Sequence, residues 1–324
     1  MKAVVQSKCG GVDTLRVDEI EKPIPHDGQL LVRVFAAGIN RADIVQREGR
    51  YPAPPGASPI LGLEVAGVVE EVRGHSHFRV GDAVLGLVPG GAYAEFVVLD
   101  SALAIAKPDD MSWVVAASLP EAWMTAWFNL VEIGAVHEGE NILIHAGASG
   151  VGVAAIQLAR VLGARAFASA GSPDKLEFCR ELGALQVYDR NEQPEFSTLI
   201  RQWGGVDLIL DPIAGKYLGE NLASLNVDGR LIFIGIMGGS VASVNLGLVL
   251  AKRLSLRGST LRNQPLDVKA RLAHALEHTV LPALRAGVVS APVDSVFPLE
   301  RVDEAHAYIE ANRNFGKVVL SVAS

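Results

Sequence analysis

Apolar positions in the first 110 residues fall in short runs, Ala3–Gln6, Leu30–Ala37, Val65–Val72, Ala83–Leu87 and Tyr93–Leu99, separated by clusters of Gly, Pro, Asp and His. Short β-rich runs punctuated by turn residues predict a curled antiparallel sheet. From about Trp123 the pattern changes. Asn141–His145, Ala166–Ser169, Gln186–Tyr188, Val206–Leu210 and Arg230–Ile234 read as strands, with helices at Val151–Leu162 and Lys175–Leu182. Apolar strands alternating with helices predict a parallel sheet covered on both faces, a doubly wound domain. A helical stretch from Lys269 runs through Leu272, Leu276, Val280 and Leu284, with Pro282 near its end. It leads to a strand at Val293–Phe297, a helix around Glu300–Glu310 and a last strand at Lys317–Val322. Periodicity leaves open whether this last piece continues the second domain or returns to the first.

Composition narrows the class. The 324 residues include 49% hydrophobic and 20% charged side chains, 33 glycines, and a formal net charge of −7. That is a chain able to bury two cores, without the basic surplus expected of a general nucleic-acid binder. Its two cysteines exclude a disulfide framework and a four-thiolate zinc site. No run approaches the about 20 apolar residues of a membrane helix; Val151–Gly171 carries Arg160 and Arg165. The first residues carry no secretory core before Lys8, so a cytoplasmic location is expected.

The segment Asn141–Ala159 joins a strand, a turn of small residues and an amphipathic helix. Gly147, Ser149 and Gly152 stand in G-x-G-x-x-G register, with Ser replacing the middle Gly. Small residues admit a pyrophosphate to the backbone, the helix N-terminus presents unpaired N–H groups, and the last Gly permits close helix–strand packing. Gly147, Ser149 and Gly152 are therefore candidate dinucleotide contacts. At the end of the next strand, where a carboxylate would accept from an adenosine ribose 2′-OH, the chain has Ala170 and Gly171. Ser172, Lys175 and Arg190 follow, donors and cations suited to a 2′-phosphate, which favours NADPH. Asp174 is the counter-indication, although a carboxylate in a first helical turn also has a plain capping role.

With these motifs, the chain resembles a medium-chain dehydrogenase/reductase. The markers are Ala37–Asp43, Leu61–Val69, Gly81–Val84, the Ala146–Gly152 turn and Phe315–Leu320. The resemblance covers essentially the whole chain. It implies an α/β protein: a GroES-like β-rich catalytic domain over residues 1–122, completed by 286–324, and a Rossmann cofactor domain over 123–285. Where zinc alcohol dehydrogenases of the superfamily place a cysteine and a histidine, this chain has Asn40 and Leu63, and no metal is expected. Cys9 and Cys179 read as small buried hydrophobes. The pattern is similar to the zinc-free quinone oxidoreductases. Asn40–Asp43, Gln46-Arg47, Gly49–Gly56, Pro120–Ala126 and Gly235–Gly239 resemble the tumour-suppressor-inducible subgroup.

That resemblance implies NADPH-dependent quinone reduction by a homodimer. A quinone accepts hydride without a metal, so the protein supplies orientation and a proton or hydrogen-bond donor. Tyr51 is the candidate donor and Asn40 the candidate orienting group; loop packing and an Asx turn are their plain alternatives. The resemblance further implies Thr125 at the nicotinamide ribose, Ser149, Gly150 and Val151 facing the pyrophosphate, backbone groups of Gly235 and Met237 at the nicotinamide, and Asn314 and Lys317 closing over the cofactor. Arg190 stands where the family commonly has a Tyr near the adenine. His145 is expected to be structural, and Glu64 to pair with Arg41 or a backbone group. The stretch Val244–Leu261 reads as an edge strand and helix suited to dimerisation. The alternatives are an alkenal or enoyl double-bond reductase, and a non-enzymatic nucleotide-sensing or RNA-binding protein.

Overall fold

The computed structural model describes residues 1–322. They form two units, one of Met1–Met124, Arg262–Arg285 and the chain from Ala291 onward, the other of Thr125–Leu261 and Ala286–Ser290.

The first unit begins with β1 (Lys2–Gln6), β2 (Leu15–Glu19), β3 (Gln29–Ile39), α1 (Arg41–Arg47), β4 (Glu64–Val72), β5 (Ala83–Leu87), β6 (Phe96–Asp100) and β7 (Ala104–Ala106). α2 (Trp113–Ala117) and α3 (Pro120–Trp127) follow. The second unit alternates β8 (Asn141–Ile144), α4 (Gly150–Val161), β9 (Arg165–Ala170), α5 (Pro173–Glu181), β10 (Gln186–Asp189), α6 (Ser197–Gln202), β11 (Val206–Asp211), α7 (Leu218–Ser224), β12 (Leu225–Phe233), α8 (Leu246–Lys252) and β13 (Ser255–Gly258). The chain then returns to the first unit through α9 (Leu266–Ala275), α10 (Leu281–Arg285), β14 (Val293–Pro298), α11 (Val302–Glu310) and β15 (Lys317–Ser321).

In the first unit β3 is the spine of a seven-stranded sheet ordered β14-β15-β3-β4-β5-β7. β4 covers one edge of β3, while β15 pairs antiparallel with its end at Ala36–Ile39 and β6 with its start at Gln29–Arg33. Alternate residues of these strands, among them Leu30, Val32 and Val34, Val65 and Val69, and Val318 and Leu320, build the core. The register has a chemical consequence. Val318 lies opposite Ile39 and Val65 opposite Ala37, so Lys317, Asn40 and Glu64 come together where three strands start or stop.

The second unit is a six-stranded parallel sheet ordered β10-β9-β8-β11-β12-β13, the doubly wound arrangement. β8 is central and fully buried, and its carboxyl end carries the glycine turn. Ligands bind at such strand ends in open α/β sheets.

The structure redraws one boundary. Residues 262–285, expected in the second domain, lie in the first unit, because Arg262 Nε and Nη2 donate to the Pro89 carbonyl at 2.8 and 2.6 Å and Ala270 packs on that unit's core. Residues 286–290 lie instead in the second unit, where Gln157 Oε1 accepts from the Ser290 N–H at 2.7 Å. No helix among the described residues is long and apolar enough to cross a membrane.

Candidate active site

In the second unit the turn after β8 is held by its own backbone. Ala146 adopts φ +53°, the Gly147 N–H donates to the Ser169 carbonyl at 2.8 Å, and Ser149 caps α4 by accepting from the Gly152 N–H at 3.1 Å. A Cβ on Gly152 would sit 2.5 Å from the carbonyl oxygens of Ala146 and Gly147, so only glycine lets the helix start this close to the strand. One on Gly147 would meet Cys179 Sγ at 2.8 Å. Gly150 and Val151 open the 12-residue α4, where no preceding turn can accept their N–H groups, and the helix dipole adds partial positive charge. The chemistry of this donor set fits a dinucleotide pyrophosphate.

At the end of β9 the Arg190 guanidinium lies on Gly171; a Cβ there would be 2.8 Å from Nη2 and 2.9 Å from Cζ. Ser172 accepts from the Lys175 N–H at 3.4 Å as cap of α5, so its hydroxyl proton remains available to a ligand. Asp174 occupies the first turn of that helix. The strand end therefore presents a guanidinium and a hydroxyl beside an α-helix N-terminus, with no carboxylate at Ala170 or Gly171. Such a donor set suits a phosphate monoester.

A buried polar network fixes the next loop. His145 is fully packed between Ser169 Oγ at 3.0 Å and Asn221 Oδ1 at 2.8 Å, while Asn221 Nδ2 donates to Asp211 at 2.8 Å. Because Asn221 presents its oxygen, His145 Nε2 carries the proton and Nδ1 accepts from Ser169. Burial lowers the pKa of His145, against the pull of Asp211, so the ring is neutral and structural. Asp211 in turn accepts from the N–H groups of Ile213 and Ala214. Gly235 sits where a Cβ would be 2.8 Å from the Pro212 carbonyl, and the Met237 N–H donates to that same oxygen at 3.2 Å. Met237 thus has only its carbonyl and an exposed side chain to offer a ligand. Thr125, half-buried on α3, gives its carbonyl to Asn129 Nδ2 and keeps its hydroxyl for other uses.

In the first unit Glu64 is fully buried. It accepts from Lys317 Nζ at 2.5 Å, Asn40 Nδ2 at 2.9 Å and the Glu121 N–H at 2.8 Å. Lys317 also donates to the Ile39 carbonyl at 3.1 Å and to Asn40 Oδ1 at 2.7 Å. A Cβ on Gly38 would lie 2.2 Å from Glu64 Oε1, so this strand glycine makes room for the carboxylate. Lys317, expected at the cofactor, directs its ammonium to three acceptors inside the first unit, Glu64, Asn40 and the Ile39 carbonyl. Of the two partners expected for Glu64 it takes the backbone one, the Glu121 N–H, and not Arg41, whose Nη2 donates to the Ile309 carbonyl and Asn312 Oδ1. Asn40 keeps one amide proton free, and Asn314 donates to the Gly316 carbonyl at 2.8 Å within its own turn.

Asp43 anchors α1 beneath this cluster, accepting from Tyr93 Oη at 2.9 Å and from the N–H groups of Asn40 and Gly62. Burial raises it to about 6 despite those donors. Tyr51 places its ring 5.4 Å from the Arg262 guanidinium carbon. Burial first, then the negative field of Glu121, raises its pKa, with Arg262 opposing, so the phenol stays a donor through neutral pH. Leu63 is buried, and no group of three or more His, Cys, Asp or Glu among the described residues converges on a metal position. Cys179 is buried, its thiol pushed up to about 12 by desolvation; Cys9, expected to be buried, is exposed. Sequence reasoning missed the Asp211–Asn221 network and the carboxyl of Glu121.

Comparison with known proteins places this geometry. Residues 26–109 match the alcohol dehydrogenase GroES-like domain and residues 150–277 the zinc-binding dehydrogenase family. The human quinone oxidoreductase is 30% identical over 326 residues, 99% of this chain and 97% of that protein. A mycocerosic acid synthase-like polyketide synthase of Mycobacterium tuberculosis is 33% identical over 318 residues, 97% of this chain, but the chain spans only 15% of that synthase. Among solved structures, a mycobacterial protein complexed with NADPH has 31% identity and a TM-score of 0.90 over 99% of this chain and 100% of its own. An enoyl reductase has 29% identity and a TM-score of 0.86 over 99% of each chain. The Rossmann-like parallel sheet, the GroES-like unit and full-length kinship together show that the chain belongs to the quinone oxidoreductase branch of the medium-chain dehydrogenase/reductase superfamily.

Proposed function

We propose that the chain is an NADPH-dependent quinone reductase. The observation that carries the cofactor choice is the Arg190 guanidinium lying on Gly171 beside the Ser172 hydroxyl, with no carboxylate at the end of β9. A 2′-phosphate finds charge-assisted donors there, whereas a bare ribose would lack the acceptor it needs. When bound, the dinucleotide supplies a hydride from C4 of its nicotinamide. The N–H groups of Gly150 and Val151 hold negative charge at the start of α4. Tyr51, kept protonated by burial, offers a hydrogen bond to an acceptor oxygen, and the free amide proton of Asn40 can orient a carbonyl.

The kinship to an enoyl reductase supports a second reading, hydride addition to the β-carbon of a conjugated carbonyl. Oxidation of NADPH and NADH followed with an ortho-quinone, a para-quinone and an enal in parallel separates the two. NADPH with a quinone should turn over fastest, and chelator treatment should leave the rate unchanged. Turnover on the enal alone would sink the quinone reading, and faster use of NADH would sink the 2′-phosphate argument.

We also propose that the chain acts as a homodimer through the free edge of β13. Among the described residues that strand pairs only with β12, and Val241, Leu246 and Leu250, shortly before it in the chain, are exposed at 88%, 72% and 82%. Open edges and apolar patches recruit partners. Sedimentation should give a dimer for the native chain and a monomer for Leu246→Lys combined with Leu250→Lys. A monomer in both samples would rule the proposal out.

A further inference from the structure

Glu121 is the second residue of α3, and its N–H donates to Glu64. Its carboxyl makes no hydrogen bond among the described residues and borders a small cavity in the first unit. Leu63, Leu87 and Val88 form apolar walls of that cavity, and Arg262 and Lys269 its polar ones. About 10 Å³ is open to the centre of a water molecule, room for one. Arg262 is only 5% exposed; its Nε and Nη2 bond the Pro89 carbonyl, but its Nη1 has no partner among the described residues. A buried guanidinium N–H left unpaired is costly, and this one borders the cavity, positioned to donate to an oxygen there. Among the described residues Lys269 Nζ reaches only the Arg262 carbonyl, at 3.4 Å.

Glu64 on β4 and Asp43 on α1 bring negative charge to Glu121; Lys317 on β15 and Arg262 before α9 oppose them. Desolvation is the largest influence, followed by Glu64, and Glu121 is raised to about 8. The nearby Tyr51 stays a phenol and cannot neutralise the carboxyl. Burial also lowers the pKa of Lys269 on α9, while Glu121 draws it the other way.

We propose that Glu121 supplies the proton of the reduction, passing it through the single water of the Arg262–Lys269 cavity to the oxygen of the reduced acceptor. The proposal rests on the quinone-reductase reading. A quinone that has accepted a hydride is a hydroquinone monoanion. The O–H bond of Glu121 breaks, its electron pair stays on the carboxylate, and the proton forms the second O–H of the hydroquinone. Arg262 and Lys269 stabilise the carboxylate left behind, and solvent restores the proton before the next turnover.

Infrared titration of the cofactor-free protein tests the proton directly. The carboxylic acid C=O stretch present at pH 7 should be absent from Glu121→Gln and should titrate with a midpoint near 8 in the native protein. With the most active quinone, Glu121→Gln should lower kcat about 100-fold, the usual scale of general acid catalysis. NADPH affinity, read by fluorescence titration, should hold. The fall of kcat above pH 8 should vanish in Glu121→Gln and return, shifted, in Glu121→Asp, which also serves if the amide variant does not fold. If native protein and Glu121→Gln show the same carboxylic acid C=O absorption at pH 7, or if kcat is unchanged in Glu121→Gln, the proposal is overturned. If no quinone is turned over, the functional reading falls, and the infrared titration alone decides whether Glu121 stores a proton.

Discussion

Replacing Lys317 by methionine is expected to destabilise the first unit by about 3–5 kcal/mol, the scale on which a buried charge loses its partner. Glu64 is 0% exposed and the Lys317 side chain 8%, so neither can turn to water when the other is removed. The two remaining donors to Glu64, Asn40 Nδ2 and the Glu121 N–H, are neutral and weaker. Glu64→Gln combined with Lys317→Met should recover much of the loss, since a neutral pair has no stranded charge. Urea unfolding of the native chain, both single variants and the double variant gives the cycle. A loss below about 1 kcal/mol in Lys317→Met, the range of exposed pairs, would mean that water reaches the pair.

Arg190→Ala should weaken NADPH binding by about 10- to 100-fold while leaving NADH nearly unchanged, because hydrogen bonds to charged groups contribute about 1.5–3 kcal/mol. The position argues for selectivity rather than general support. The guanidinium rests on Gly171, at the end of β9, and makes no ion pair among the described residues. Its backbone N–H bonds Ala170 at 3.0 Å, a contact the substitution preserves. Fluorescence titration with both dinucleotides reads the difference. An equal loss for both would assign Arg190 to adenine stacking, and no loss for either would remove it from the site.

The alternation of apolar runs made most strands legible, including five of the six in the parallel sheet; β13 was placed only as an edge strand within Val244–Leu261. β2 and β7 escaped because they are short and largely face solvent or a neighbour, with burial along β2 limited to Leu15 and partly Val17. α1 escaped for a different reason. Its buried residues include Asp43 and Arg47, so the helix hides polar groups and shows no apolar stripe. The glycine turn was readable because its chemistry is local. The Glu64–Lys317 pair was not: the partners are 253 residues apart, and Arg41, much nearer in sequence, was the natural guess. Glu121 stood in a recognised motif, yet its electrostatic state depends on Glu64, Asp43 and Lys317 from three other elements.

The placement of β15 between β14 and β3 sets an order of events during synthesis. The second unit is almost one continuous segment, Thr125–Leu261, and can form as soon as that segment leaves the ribosome. The first unit cannot. Until residues 317–321 have been made, β3 shows an unpaired edge at Ala36–Ile39 and the Glu64 carboxylate waits without its cation. A sheet whose interior strand arrives so late depends on long-range pairing, which is slow and open to edge-to-edge association. Chaperone demand should therefore fall on residues 1–124, which are made before the strand that completes their sheet.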